Sequence, residues 1–148
     1  MKTRFAIAAI LAAAVPTTAA QAQSFFSCKG NNGEFWGLYR VEGQTLKLWN
    51  PGTGWSGNLC AERSCTISAD LIEMRWNSRF DGPYAYTLQA HTFTVNRRSG
   101  TAATRYVGDQ WGHDGTPYTP NGWDPHSDIS KAGTCQKGED PEGGPPKF

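Results

Sequence analysis

Three histidines, His91, His113 and His126, are the imidazoles available to a general base or to an activated nucleophile in this 148-residue chain. His113-Asp114 and the run Asp124-Pro125-His126-Ser127-Asp128 offer nitrogen and oxygen ligands of the kind a divalent ion accepts. A metal-assisted enzyme using His113, Asp124 and His126 is therefore one reading of that stretch. The same residue types also make local turns to the backbone, and a polar loop that holds no metal and no cofactor is the preferred reading. A serine hydrolase is disfavoured, because no serine sits in a Gly-x-Ser-x-Gly elbow and the alternating strand–helix pattern that elbow needs is absent. Glu34, Asp70, Glu73 and Asp81 lie in or beside expected strands and would have to come together in pairs to act on a glycosidic bond. Solvated strand faces carry such carboxylates routinely, so the chain is read as non-enzymatic.

Recognition is the better supported chemistry. The six tryptophans are Trp36, Trp49, Trp55, Trp76, Trp111 and Trp123. Trp36 and Trp76 fall among strand residues and are expected in the core. Trp49 and Trp55 flank Asn50-Pro51-Gly52-Thr53-Gly54, whereas Trp111 and Trp123 lie with Tyr118 in an aperiodic stretch. Exposed indoles and phenols stack on sugar faces and anchor interfaces, so Trp111, Tyr118 and Trp123 are the expected ligand-binding anchors.

The elements that must position these residues read as short strands. After residue 22 the apolar pattern has period two, broken by turn residues, with Gly 17 and Pro 9 in the whole chain. Strands are expected at 25–29, 34–41 and 44–49, the last two joined by a hairpin with Glu42-Gly43 as its two-residue turn. Leu46 and Leu48 share the buried face of that hairpin. A loop at 50–58 precedes strands at 66–69 and 71–76, where Ile72, Met74 and Trp76 face one way and Glu73 and Arg75 the other. A turn at 77–83, strands at 84–89 and 92–96 with Phe93 and Val95 inward, a tight connection at 96–100 and a strand at 101–107 follow. The pattern then stops. Residues 108–133 are expected to form one long loop, 134–137 a final short strand and 138–148 a disordered tail.

Residues 1–22 carry Lys2 and Arg4 ahead of an alanine-rich apolar run and end on Ala20-Gln21-Ala22, the layout of a cleavable secretory signal. The run is too short to span a bilayer, so no membrane anchor is expected. The remainder, 23–137 with its tail, is one domain's worth of chain. Loss of Lys2 and Arg4 from the 14 basic residues leaves 12 against 13 acidic ones, which supplies neither the basic stripe of a nucleic-acid binder nor a polybasic membrane patch. Four cysteines remain, Cys28, Cys60, Cys65 and Cys135, and in an exported protein they imply two disulfides. Three pairings are possible; Cys60 with Cys65 and Cys28 with Cys135 is the preferred one. The expected fold class is all-β: a small antiparallel meander closing into a barrel or strongly curved sheet, disulfide-stapled and preceded by a signal peptide. A two-sheet sandwich is the alternative.

Two likenesses add to this. Residues 92–100, Thr-Phe-Thr-Val-Asn-Arg-Arg-Ser-Gly, with Gly133-Thr134-Cys135, resemble small exported β-barrel proteins of Gram-negative bacteria that have no assigned activity. Ser99-Gly100 and Arg105-Tyr106 are similar to the inhibitory loop of periplasmic C-type lysozyme inhibitors, which implies that Arg105 and Tyr106 contact a protein partner. The combined expectation is a monomeric periplasmic or secreted protein that binds a ligand or another exported protein through its aromatic loop. A structural envelope role, a lysozyme-inhibitor-like role and a metal-dependent enzyme are the alternatives.

Overall fold

The computed structural model of the protein describes residues 23–122 and 124–143; the expected signal sequence, Trp123 and the last five residues of the tail lie outside them. Nine antiparallel strands form a single sheet: β1 (Ser24–Gly30), β2 (Phe35–Glu42), β3 (Thr45–Asn50), β4 (Gly54–Trp55), β5 (Ser64–Ile67), β6 (Leu71–Asp81), β7 (Ala85–Asn96), β8 (Thr101–Gly112) and β9 (His126–Lys137). Their spatial order is β4-β3-β2-β1-β9-β8-β7-β6-β5, and the sheet curls strongly on itself into a half-barrel. A single curled sheet replaces the two-sheet alternative.

Strand alternation dictates the curl. Cys28, Tyr39, Val41, Leu46, Ile67, Ile72, Met74, Phe93, Val95, Ala102 and Cys135 are the buried residues, and all project to the concave side. Leu46, Ile72, Phe93 and Val95 occupy the inward positions that period two assigns them. Cys28 and Cys135 are register partners on β1 and β9 and are joined as a disulfide; Cys60 and Cys65 form the second, so the preferred pairing is the one present.

The ladder stops short of closure. β4 and β5 are the sheet's two edges, and beyond the two-residue β4 it is β3 and its preceding turn that are tied toward β5 by side chains: Gln44 Nε2 donates to the Ile67 carbonyl at 3.0 Å, and the Leu46 amide donates to Asn58 Oδ1 at 3.2 Å. Asn58 also caps the short 3₁₀ turn Leu59–Ala61 by accepting from the Cys60 amide. Polar groups on an otherwise bare strand edge are thereby satisfied, which removes a template for strand addition.

Several boundaries differ from expectation: β4 (Gly54–Trp55) lies inside the expected loop 50–58 because it pairs with Trp49 and Asn50, and the strand expected at 66–69 is β5, displaced to Ser64–Ile67 by its register on β6. The β2–β3 turn is Gly43-Gln44, because Glu42 pairs with Thr45; Gly43 has φ 59° and Gln44 does not share a positive φ, so glycine stands first in the turn. β6 continues through 77–81, and β7 runs unbroken through Ala90-His91, since each strand has a full-length partner beside it. The expected loop 108–133 is a correction of larger size: β8 reaches Gly112 and β9 starts at His126, leaving only 113–125 irregular. β9 is largely exposed from His126 to Ala132 and alternates in burial only at its end, where Gly133 and Cys135 are buried; over the rest of its length the ladders to β8 and β1 hold it. Of the tail, residue 138 is tied down by its amide, which donates to the Phe25 carbonyl at 2.9 Å, and Asp140 caps a turn that ends at Gly143.

Candidate functional site

Each step of two residues along β6–β9 raises one rung of the concave wall. The rung Ile72–Val95–Ala102–Gly133 belongs to the core floor, and the rung Met74–Phe93–Thr104–Lys131 lies above it. Next comes Trp76–His91–Tyr106–Ile129, then the polar rung Ser78–Gln89–Gly108–Ser127. The rungs Met74–Phe93–Thr104–Lys131 and Trp76–His91–Tyr106–Ile129 face an open cavity of about 570 Å³. Its other wall is Trp36, Tyr39 and Leu48 from β2 and β3, with Leu59 and Arg63 from the seam.

Two glycines shape the aromatic wall. A Cβ on Gly133 would press into the Lys29 carbonyl and lie 2.7 Å from Trp36 ring carbons, so the indole lies flat against β9 only because that position is bare. Gly108 likewise leaves room for the Tyr106 phenol, whose oxygen occupies the space a Cβ would take. Trp76 stacks on His91 with ring centroids 4.7 Å apart and planes 2° from parallel, and the Arg63 guanidinium lies 4.6 Å from the Trp76 ring centroid. Burial, with the Arg63 charge in support, holds the His91 pKa below its ordinary value, so the ring is neutral at neutral pH. Tyr39 lies deeper; burial pushes its phenol up to about 12, against the pull of Arg63.

Hydrogen bonds fix the orientation of His91. Gln89 Nε2 donates to the Tyr106 oxygen at 3.1 Å, and His91 Nε2 lies 3.1 Å from Gln89 Oε1 and 3.0 Å from Ser78 Oγ. Whether that nitrogen donates or accepts depends on the ring's tautomer.

The anticipated site residues disperse. Tyr106 faces the cup; Arg105, next along β8, borders the same cavity but alternates toward the convex face, where it forms a two-armed ion pair with Asp128 at 2.7 and 3.0 Å. Trp111 pairs in register with Tyr86 and bridges Pro117, whereas Tyr118 donates its amide to Gln110 and lines a small hollow with Phe80 and Thr87. Trp111 and Tyr118 thus stand on opposite faces of the sheet tip. Trp49 and Trp55 contact each other edge to face at 5.3 Å on the convex side, with Phe25 and Arg40 against Trp55. Of the three supposed metal ligands, His113 stands apart from the neighbouring Asp124 and His126. His113 contacts the Gly82 carbonyl, His126 pairs with Asp109 at 2.8 Å, and Asp124 accepts from the His126 amide; no cluster of three metal-ligating side chains occurs among the described residues.

Glu34, Asp70, Glu73 and Asp81 are each neutralised by a cation rather than by one another: Lys131, Arg98, Arg75 and Arg79 respectively. Of the four only Glu34 borders the cavity. Trp36, Arg63, Trp76, His91 and Lys131 were not singled out as ligand contacts from the sequence. Trp76 carried a signal all the same: its inward position continues Ile72 and Met74 on a strand long enough to leave the core. Compared with known proteins, the chain matches no family model, no curated protein and no solved structure.

Proposed function

We propose that the chain is a non-enzymatic exported protein, periplasmic or secreted, that binds a ligand in the mouth of its cup. The observation that carries this reading is the open rung Trp76–His91–Tyr106–Ile129 above a closed apolar floor, facing about 570 Å³. Small-molecule sites run roughly 300 to 1,000 Å³ and combine apolar walls with a few placed polar groups. One further apolar side chain at this mouth, Phe35 at 66 % exposure, is left uncovered by the core, as is Ile129 of the rung itself at 50 %. Export is supported by two disulfides, which persist in oxidising compartments. No helix of the described residues is long and apolar enough to cross a membrane.

The test is the melting temperature of the oxidised protein against peptidoglycan fragments, other glycans, small organic acids and lysozymes. A ligand that prefers the folded state stabilises it by about 2.7 kcal/mol at a hundredfold excess over Kd, and Trp76→Leu should abolish that rise. A rise with a lysozyme that Arg105→Ala removes and Trp76→Leu leaves intact would instead assign the convex face to a protein partner. No rise with any of them sinks the reading and puts a structural envelope role first.

A further inference from the structure

We propose that the ligand of the cup is an organic anion: a flat apolar body lying among the rings, with an oxyanion group held by Arg63. This rests on the cup being the binding site. Five of the other six described arginines are satisfied: Arg75, Arg79, Arg98 and Arg105 pair with carboxylates, and Arg97 donates to the Ser68 carbonyl at 2.7 Å and to Ser24 Oγ. The sixth, Arg40, has an Nε without a partner but lies against Trp55, away from the cavity. Arg63 is the arginine of the cavity wall that has no carboxylate partner. Among the described residues no carboxylate lies within ion-pair distance of it, and its side chain makes one hydrogen bond, to the Met74 thioether at 3.5 Å. Thioether sulfur is a weak acceptor, and a guanidinium has five N–H donors.

Its surroundings explain why the vacancy suits an anion. Arg63 is half-buried against Trp76 inside the cavity wall, where a cation loses water and gains from an oxyanion more than it would at the open surface. Contact with the indole face leaves the planar N–H fork free to grip two oxygens. The competing charges nearby are already used: Glu34 holds Lys131 at 2.8 Å, and Arg105 holds Asp128. His91, whose burial favours the neutral ring, is not a second cation at this site and leaves Arg63 as its unpaired positive charge. The disulfide between Cys60 and Cys65 encloses Arg63 in a short loop at the seam, which pre-organises the cation before any ligand arrives.

The experiment uses two fluorescent probes with similar bodies, 1-anilinonaphthalene-8-sulfonate and the uncharged N-phenyl-1-naphthylamine, titrated into the oxidised protein and into Arg63→Gln and Arg63→Lys. The wild type should prefer the sulfonate, and added salt should weaken that probe alone. In Arg63→Gln sulfonate affinity should fall by about tenfold or more, the worth of a charge-assisted hydrogen bond, with the neutral probe within about twofold. Arg63→Lys should fall between, keeping the charge and losing the fork. Near-ultraviolet circular dichroism of each variant verifies the fold. If the neutral probe binds as well as the sulfonate and Arg63→Gln changes neither, the anion inference is overturned and the cup reading stands. If neither probe binds, both fall.

Discussion

Replacing Gly133 by alanine tests the mouth of the cup with a single methyl group. Its backbone lies outside the positive-φ set, so alanine is conformationally permitted. Restricting the unfolded chain would on that ground alone add about 0.4 to 1 kcal/mol of stability. Against this, the new Cβ would lie 2.7 Å from two Trp36 ring carbons, where ordinary contact begins near 3.4 Å, and would press on the Lys29 carbonyl. That carbonyl belongs to the β1–β9 ladder, which Cys28–Cys135 locks in register nearby, so it has little freedom to retreat. Overpacking of this kind costs about 1 to 3 kcal/mol, and the net is a loss of about 1 to 2 kcal/mol, or roughly 4 to 8 °C in Tm for a domain of this size. Displacement of the indole should also weaken binding of the uncharged naphthylamine probe. Gly57→Ala is the control, since its φ is also outside the positive set and no atom lies within 4 Å of its added Cβ; it should melt at or slightly above the wild-type temperature. A Gly133→Ala protein that melts like Gly57→Ala would refute the idea that Trp36 depends on a bare β9.

Removing Cys28–Cys135 by double serine substitution should cost about 4 to 5 kcal/mol on the chain-entropy account, given a sequence separation of 107, as read from urea unfolding. The same change at Cys60 and Cys65, separated by 5, should cost about 2 kcal/mol and should reduce sulfonate-probe affinity as Arg63→Gln does; unchanged affinity would mean the loop does not position Arg63. Proton NMR should find His91 and His126 titrating on opposite sides of 6.5. His91 is lowered by burial, so its share of stability is complete above that pH and is lost as the pH falls; His126 is raised by the Asp109 hydrogen bond, so its share is present at low pH and is lost as the pH rises through its folded pKa. Asp109→Asn should lower the His126 midpoint and leave His91 in place.

Period two was enough to read the floor of the cup. Leu46, Met74, Phe93 and Val95 are inward because each is an apolar residue between polar ones, and Ile72, which follows the exposed Leu71, takes its inward place from the period it shares with Met74; burial enforces that alternation. The upper wall was harder to read because it is held by ladders instead of burial. Asn77, Ser78 and Asp81 look like turn residues, but β7 pairs with them to the end. Gly108, Gly112 and Gly133 look like punctuation, yet Gly108 and Gly133 are the flat ground on which rings lie. Arg63 was illegible for another reason: a cation without an acceptor is a property of three-dimensional neighbours, and its nearest are Met74 and Trp76 on another strand.

Between β3 and β5 the sheet is joined by side chains and not by a strand ladder. In a closed barrel the circumference is set by strand number and stagger, and widening it means tearing a whole ladder. Here the hydrogen bonds of the joint are the Gln44 amide on the Ile67 carbonyl and the Leu46 amide on the Asn58 carboxamide oxygen. Two such bonds cost about 1 to 3 kcal/mol to exchange for water. Should the cup bind a ligand as proposed, widening it at this seam would break fewer hydrogen bonds than opening any ladder, at the further cost of exposing Leu46 and Ile67, which the core buries.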